Sequence, residues 1–108
     1  QLIVCISASP AVRRSYFEIL TAARALENTC YLAYVNLAGV EDGLQFWGGS
    51  RLVGPTGDVL ARAKYDQEDF LVCDVDFGDL RTVETFVPTL RDLRPEFYEK
   101  LKVLSEQF

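Results

Sequence analysis

A chain without histidine must find its chemistry elsewhere, and this one has none in 108 residues. The commonest general base and the commonest metal ligand are thereby removed together. Three cysteines remain as nucleophile candidates: Cys5, Cys30 and Cys73. They lie far apart without CxxC spacing, a poor disulfide framework and a poor metal site. A reactive thiolate needs a nearby base, cation or helix terminus to lower its pKa. Cys5 stands between Val4 and Ile6, and the other two also sit among apolar neighbours. All three are therefore expected to be small buried hydrophobes, in a reducing, cytoplasmic setting. No residue is assigned a catalytic role, and no metal or cofactor is expected.

Hydroxyl and amide groups are better placed. Ser7 and Ser9 close an apolar run, where a strand opening into a helix presents hydroxyls and N–H groups to the cleft beyond its carboxyl end. The plainer alternative is that Ser9 caps the helix. Gly48-Gly49 forms a second candidate, because paired glycines in a strand mark a bulge or a close approach to the backbone. Asn36, Phe46 and Ser50 around it are the matching pocket residues, with ordinary strand packing as the alternative. Arg13 or Arg14 offers a planar two-pronged donor to a substrate carboxylate, although a solvated side chain is the expectation. Glu41 and Asp42, adjacent acids in a loop, are expected to be solvated rather than an acid–base pair.

The elements that must carry these groups follow from pattern. Leu2 to Ile6 is a continuous apolar run, as in a strand buried on both faces. Pro10 suits the first turn of a helix, whose apolar face is read at Val12, Tyr16, Ile19, Leu20, Ala23 and Leu26, ending at Asn28-Thr29. Cys30 to Leu37 reads as a second buried strand, and Gly39 to Gly43 as a loop. Gly54-Pro55-Thr56-Gly57 is a β-turn that closes a hairpin between Leu44–Val53 and Asp58–Ala63. Phe70 to Asp76 reads as a third buried strand. Helical periodicity follows from Asp79 to Pro88, and again from Pro95, with Phe97, Leu101, Leu104 and Phe108 on one stripe. This order gives an α/β fold with a mixed sheet, a hairpin and a C-terminal helical tail.

Composition narrows the classes. A net charge of −5 without a basic run argues against a nucleic-acid partner. Nothing approaches ~18 consecutive apolar residues, so no membrane span is expected. Gln1 to Ile6 is too short, and lacks the basic flank, for a signal peptide.

Asn36-x-x-Gly39, Phe46-x-Gly48-x-Ser50 and Pro55-x-Gly57-x-Val59-Leu60 resemble, in that order, the C-terminal half of the nitrilase-type carbon–nitrogen hydrolases. Ser7-Ala8-Ser9-Pro10 and Arg24-Ala25-Leu26-Glu27-Asn28 extend the resemblance toward the start. It implies half of a four-layer α-β-β-α sandwich, with residues 1–77 as the hydrolase portion and 78–108 as a tail in oligomer contact. It also implies that the segment around Ser7 and Ser9 lines the substrate pocket, and that Arg24 and Glu27 form a partly buried ion pair. The family's cysteine nucleophile, glutamate and lysine would fall before Gln1, so the parent is expected to be an enzyme and this chain alone inactive. The implied substrate is a small amide, carbamoyl compound or nitrile. Asp42-Gly43-Leu44-x-Phe46-x-Gly48-Gly49-Ser50 and Arg94-Pro95-Glu96-Phe97-Tyr98 are similar to the glutamine-hydrolysing domain of NAD synthetases. A chain with both strand faces apolar and few helices is expected to pair with another copy or with a missing N-terminal half. The alternative is a non-catalytic half-fold that acts as a binding or assembly module.

Overall fold

The computed structural model describes residues 1–107. β1 (Leu2–Ser7) leads through a 3-10 turn (Ala11–Arg13) into α1 (Arg14–Asn28), which returns the chain to β2 (Tyr31–Asn36). β1 and β2 are parallel, with Leu2 opposite Tyr31 and Ser7 opposite Asn36, so α1 is the crossover such a pair requires. β5 (Arg51–Val53) lies antiparallel on β2, and β6 (Val59–Arg62) on β5. The result is one mixed sheet in the order β1-β2-β5-β6. The β5–β6 connection is the expected Gly-Pro-Thr-Gly turn, closed by the Gly57 N–H donating to the Gly54 carbonyl at 2.9 Å.

β3 (Ala38–Glu41) and β4 (Leu44–Trp47) form a separate two-stranded ribbon. The loop expected from Gly39 to Gly43 is thus mostly strand. Its turn shrinks to Asp42-Gly43, both at positive φ (50° and 76°), the conformation a two-residue hairpin demands. The predicted strand from Leu44 to Val53 is broken at Gly48-Gly49, which hands its first half to the ribbon and its second to the main sheet.

The two faces of the main sheet are covered differently. On one, Leu32, Tyr34 and Val53 pack under Ala25 of α1 and beside Trp47, with Phe17, Cys5 and Tyr65 around them. Rings of Phe17, Tyr34 and Trp47 stack in series, with centroids 5.5 and 5.6 Å apart. The helix face in this contact is Phe17, Thr21 and Ala25, not the predicted stripe: Val12, Tyr16, Ile19, Leu20 and Leu26 are all exposed. Size decides the difference. Thr21 and Ala25 let the helix approach the sheet closely, and the Thr21 hydroxyl is satisfied by the Phe17 carbonyl at 2.7 Å.

On the other face, Tyr31 and Leu52 pack with Leu80 of α2 (Gly78–Phe86), beside Ala33 and Val75. The Tyr31 hydroxyl donates to the Asp76 carbonyl at 2.8 Å and to the Asp79 carboxylate at 3.1 Å. Burial, then the Asp79 carboxylate, pushes that phenol's pKa up. Beyond these residues the face is open. Leu2, Val4, Ile6 and Val35 point from β1 and β2 to this side and are 41, 61, 82 and 50% exposed. The expectation that Leu2 to Ile6 is buried on both faces is therefore corrected, because no described element covers this face of β1.

Residues 70–76 belong to no strand. They have no ladder partner; Val75 packs against the Tyr31, Leu52 and Leu80 cluster, and Phe70 and Val72 are exposed. Cys73 is exposed with them, whereas Cys5 is half-buried and Cys30 buried as expected. Burial raises the Cys30 thiol pKa. Arg24 and Glu27 do pair, but both side chains stand in solvent, not partly buried. The helix from Pro95 forms as α3 (Pro95–Ser105), with Phe97, Leu101 and Leu104 all exposed. Phe108 lies outside the described residues. The molecule measures 46 × 42 × 17 Å, about the thickness of one helix layer on one sheet.

Candidate functional site

Parallel pairing brings the carboxyl ends of β1 and β2 to the same edge, so Ser7 and Asn36 finish side by side. Ligands of open α/β sheets bind beyond such ends. Asn36 is buried, and its side chain ties the segment after β1 to the segment after β4. Its Oδ1 accepts the Ser9 N–H at 2.8 Å, and its Nδ2 donates to the Gly48 carbonyl at 3.1 Å and the Ser9 carbonyl at 3.4 Å. The Asn36 N–H donates to Ser50 Oγ at 2.9 Å. Ser9 does not cap a helix: its buried hydroxyl accepts the Trp47 indole N–H at 3.0 Å. Phe46 is bridged to Pro10, and the Ser7 carbonyl accepts the Leu37 N–H at 3.0 Å.

Four of the five predicted residues, Ser9, Asn36, Phe46 and Ser50, therefore converge, with Ser7 joined through its backbone. Only Asn36 and Ser50 of the five border the adjacent groove, an open hollow of about 540 Å³. Gly48 and Gly49 form its wall, and Lys64, Gln67, Glu68 and Asp69 its polar rim. The N–H groups of Lys64, then Phe70, hold the Asp69 carboxyl below its usual range. Ser50 also faces a smaller hollow, about 310 Å³, bordered by Phe70, Leu71 and Cys73.

The double glycine is required here. Both residues have φ near +60°, and a Cβ on Gly49 would sit 2.6 Å from the Trp47 ring and 2.8 Å from that of Tyr65. Arg51 supports the same turn from behind. It is buried, its Nε donates to the Gly49 carbonyl at 2.9 Å, and its Nη2 lies 3.4 Å from Glu18. Glu18 Oε1 also accepts the Tyr65 hydroxyl at 2.7 Å and Arg14 Nε at 3.2 Å. Burial raises the Glu18 pKa, but the Tyr65 and Arg14 hydrogen bonds and the charges of Arg14 and Arg51 outweigh it, so the carboxyl is held low. The Tyr65 ring lies between the guanidinium groups of Arg14 (3.5 Å) and Arg62 (3.8 Å) from its centroid.

This Glu18–Arg51–Tyr65 support is absent from the sequence reading. Its one sequence signal is Arg51 itself, a charge heading the short apolar strand before a turn. Arg14 is used structurally, while Arg13 lies exposed over the Tyr16 ring. Glu41 and Asp42 are exposed. Among the described residues no group of three or more Asp, Glu or Cys is placed to hold a metal ion, and no helix is long and apolar enough to cross a membrane.

The helix-backed mixed sheet has counterparts among known proteins. The carbon-nitrogen hydrolase family profile matches residues 4–85. The chain belongs to the carbon-nitrogen hydrolase family. It is 41% identical over 83 residues to a glutamine-dependent NAD(+) synthetase of Aquifex aeolicus, covering 75% of this chain and 15% of the synthetase. It is 30% identical over 89 residues to a 2-oxoglutaramate amidase of Paenarthrobacter nicotinovorans, covering 82% and 30%. Among solved structures, a mutant of the Nesterenkonia AN1 amidase, from the nitrilase superfamily, superposes with a TM-score of 0.77 at 36% identity. That match covers 94% of this chain and 35% of the amidase. A CN-hydrolase superfamily protein from Xanthomonas campestris gives 0.83 at 25% identity, over 87% and 36%. The fold is thus the nitrilase-type α/β fold, and the chain spans about a third or less of these relatives' length.

Proposed function

We propose that this chain supplies the C-terminal portion of a carbon–nitrogen hydrolase unit that acts on a small carboxamide, with a cysteine nucleophile, glutamate and lysine contributed by sequence outside these 108 residues. The observation that carries the reading is the groove at the carboxyl edge of β1 and β2, walled by Gly48, Gly49, Asn36 and Ser50 within the matched family segment. In this reading Asn36 and Ser50 form pocket wall, and Ser7, Ser9 and Phe46 stand behind it and set its position. The half-buried Cys5 lies in mid-strand, is not among the groove-lining residues, and takes no part. The open face of Leu2, Val4, Ile6 and Val35 receives the second sheet of the sandwich.

Two substrate classes have support. An ω-amide of a short dicarboxylic acid fits the similarity to 2-oxoglutaramate amidases. Glutamine, with ammonia passed to a synthetase, fits the 41% identity to the NAD(+) synthetase. Ammonia release by the full-length protein from glutamine, 2-oxoglutaramate, a simple nitrile and a carbamoyl amino acid separates them. Release from none of the four would overturn the hydrolase reading and favour a non-catalytic module.

The division at residues 77 and 78 suits α3 better than α2, because Leu80 is buried against Tyr31 and Leu52. The exposed stripe of α3 is proposed as a contact with a second copy or with the rest of the protein. Free thiols at all three cysteines suit a cytoplasmic setting.

A further inference from the structure

The groove wall is held at every backbone group of its two glycines, and Asn36 ties that wall to the segment after β1. Gly48 and Gly49 expose four polar backbone groups, and all four are taken. The Gly48 N–H donates to the Leu37 carbonyl at 3.0 Å and the Gly49 N–H to the Lys64 carbonyl at 3.1 Å. The Gly48 carbonyl accepts Asn36 Nδ2 at 3.1 Å, and the Gly49 carbonyl accepts Arg51 Nε at 2.9 Å. Asn36 has two side-chain donors and one carbonyl oxygen. Both donors are committed to backbone carbonyls, those of Gly48 and Ser9, and the oxygen to the Ser9 N–H. The residue borders the groove yet has no N–H left for a ligand.

We infer that Asn36 is a positioning residue for hydrolysis in this groove: it donates no hydrogen bond to the substrate and instead fixes the Ser9 segment against the Gly48–Ser50 wall. The inference rests on the reading of the groove as an amide-hydrolysing site. Asparagine suits the task because it donates twice and accepts at once within one short planar group. An aspartate of the same shape would turn a negative oxygen toward the Gly48 and Ser9 carbonyls. The wall would then shift, and a misplacement of about 1 Å in such a site costs on the order of 100-fold in rate.

The test uses the full-length protein with whichever of the four amide and nitrile substrates it turns over. Asn36→Asp should lower kcat by about 100-fold at neutral pH while KM stays within about twofold. On acidification the variant should recover relative to wild type, since a protonated carboxyl again donates one hydrogen bond to Gly48. A raised KM with unchanged kcat would overturn the inference in favour of direct substrate contact. A lowered melting temperature with wild-type kcat and KM would overturn it in favour of a purely structural role. Should the variant not fold, proton exchange at the Asn36 side-chain amide of the wild type decides. Slow exchange of both protons supports the assignment, and fast exchange of either overturns it. Wild-type inactivity toward all four substrates is a separate outcome, which overturns the hydrolase reading and this role with it.

Discussion

The layer between α1 and the sheet and the opposite face of the same sheet are built from similar residues but finished to different standards. Under α1, Tyr34, Trp47 and Val53 are almost completely buried, and Asn36 and Arg51 are buried with their polar groups engaged, whereas the buried Tyr34 hydroxyl has no hydrogen-bond partner among the described residues. On the other side, β1 presents Val4 and Ile6 to solvent, and α3 presents Phe97, Leu101 and Leu104. Amino-acid type alone does not separate the two. A surface whose rings interlock and whose buried polar groups are engaged with few exceptions is closed on itself. A surface that exposes aliphatic side chains in register along paired strands has the character of an interface. The groove wall belongs to the first kind, which suits a site that must hold its shape. The open sheet belongs to the second, which suits a fold that continues elsewhere.

This contrast makes a graded set of mutational expectations, read as unfolding free energies by chemical denaturation. Trp47→Ala should be the most damaging, at about 3–5 kcal/mol, because it removes the fully buried ring that stacks on Tyr34 and frees Ser9 Oγ. Gly49→Ala should cost about 2–3 kcal/mol, combining positive φ with the clash on Trp47 and Tyr65. Glu18→Gln should cost about 1 kcal/mol near neutral pH. Its pH dependence has a fixed sign. The folded Glu18 carboxyl titrates below its ordinary value of 4.5, so its contribution is present above that value and fades as pH falls through the folded pKa. Wild type should therefore lose stability more steeply than Glu18→Gln as pH drops below about 4.5. If the two curves run parallel, the Glu18 cluster does not support the wall. At the bottom of the scale, Ile6→Ser and Leu101→Ala should each change the isolated chain by no more than about 0.5 kcal/mol. A large loss from either would mean that the open side is already covered.

The thiols give an independent ordering. Cys73 should react with a thiol probe at once and Cys5 more slowly, while Cys30 should label only on unfolding. Fast reaction at Cys30 would contradict the closed layer.

How much of this was legible in the sequence depended on range. Local signals worked: Thr29 ends α1, Pro88 follows α2, Pro95 opens α3, and the Gly54–Gly57 turn pairs β5 with β6. The helix face failed because α1 carries apolar residues on several sides, and closeness of approach, not hydrophobicity, chose Thr21 and Ala25. Residues 70–76 failed because a strand needs a neighbour as well as a composition, and these residues pair with neither edge of the sheet. The convergence of Ser9, Asn36 and Ser50 was legible through the resemblance. The reach of Glu18 to Arg51 and Tyr65, across 33 and 47 residues, was not. No periodicity records a contact of that range.

These 108 residues are proposed to hold the wall of a hydrolase site and not its nucleophile. Ammonia release, measured on the isolated chain and on the full-length protein with the same carboxamides, tests it most directly. The account predicts turnover by the full-length protein and none above the buffer rate by the isolated chain. Turnover by the isolated chain, abolished by replacing Cys5, Cys30 or Cys73 with serine, would contradict it.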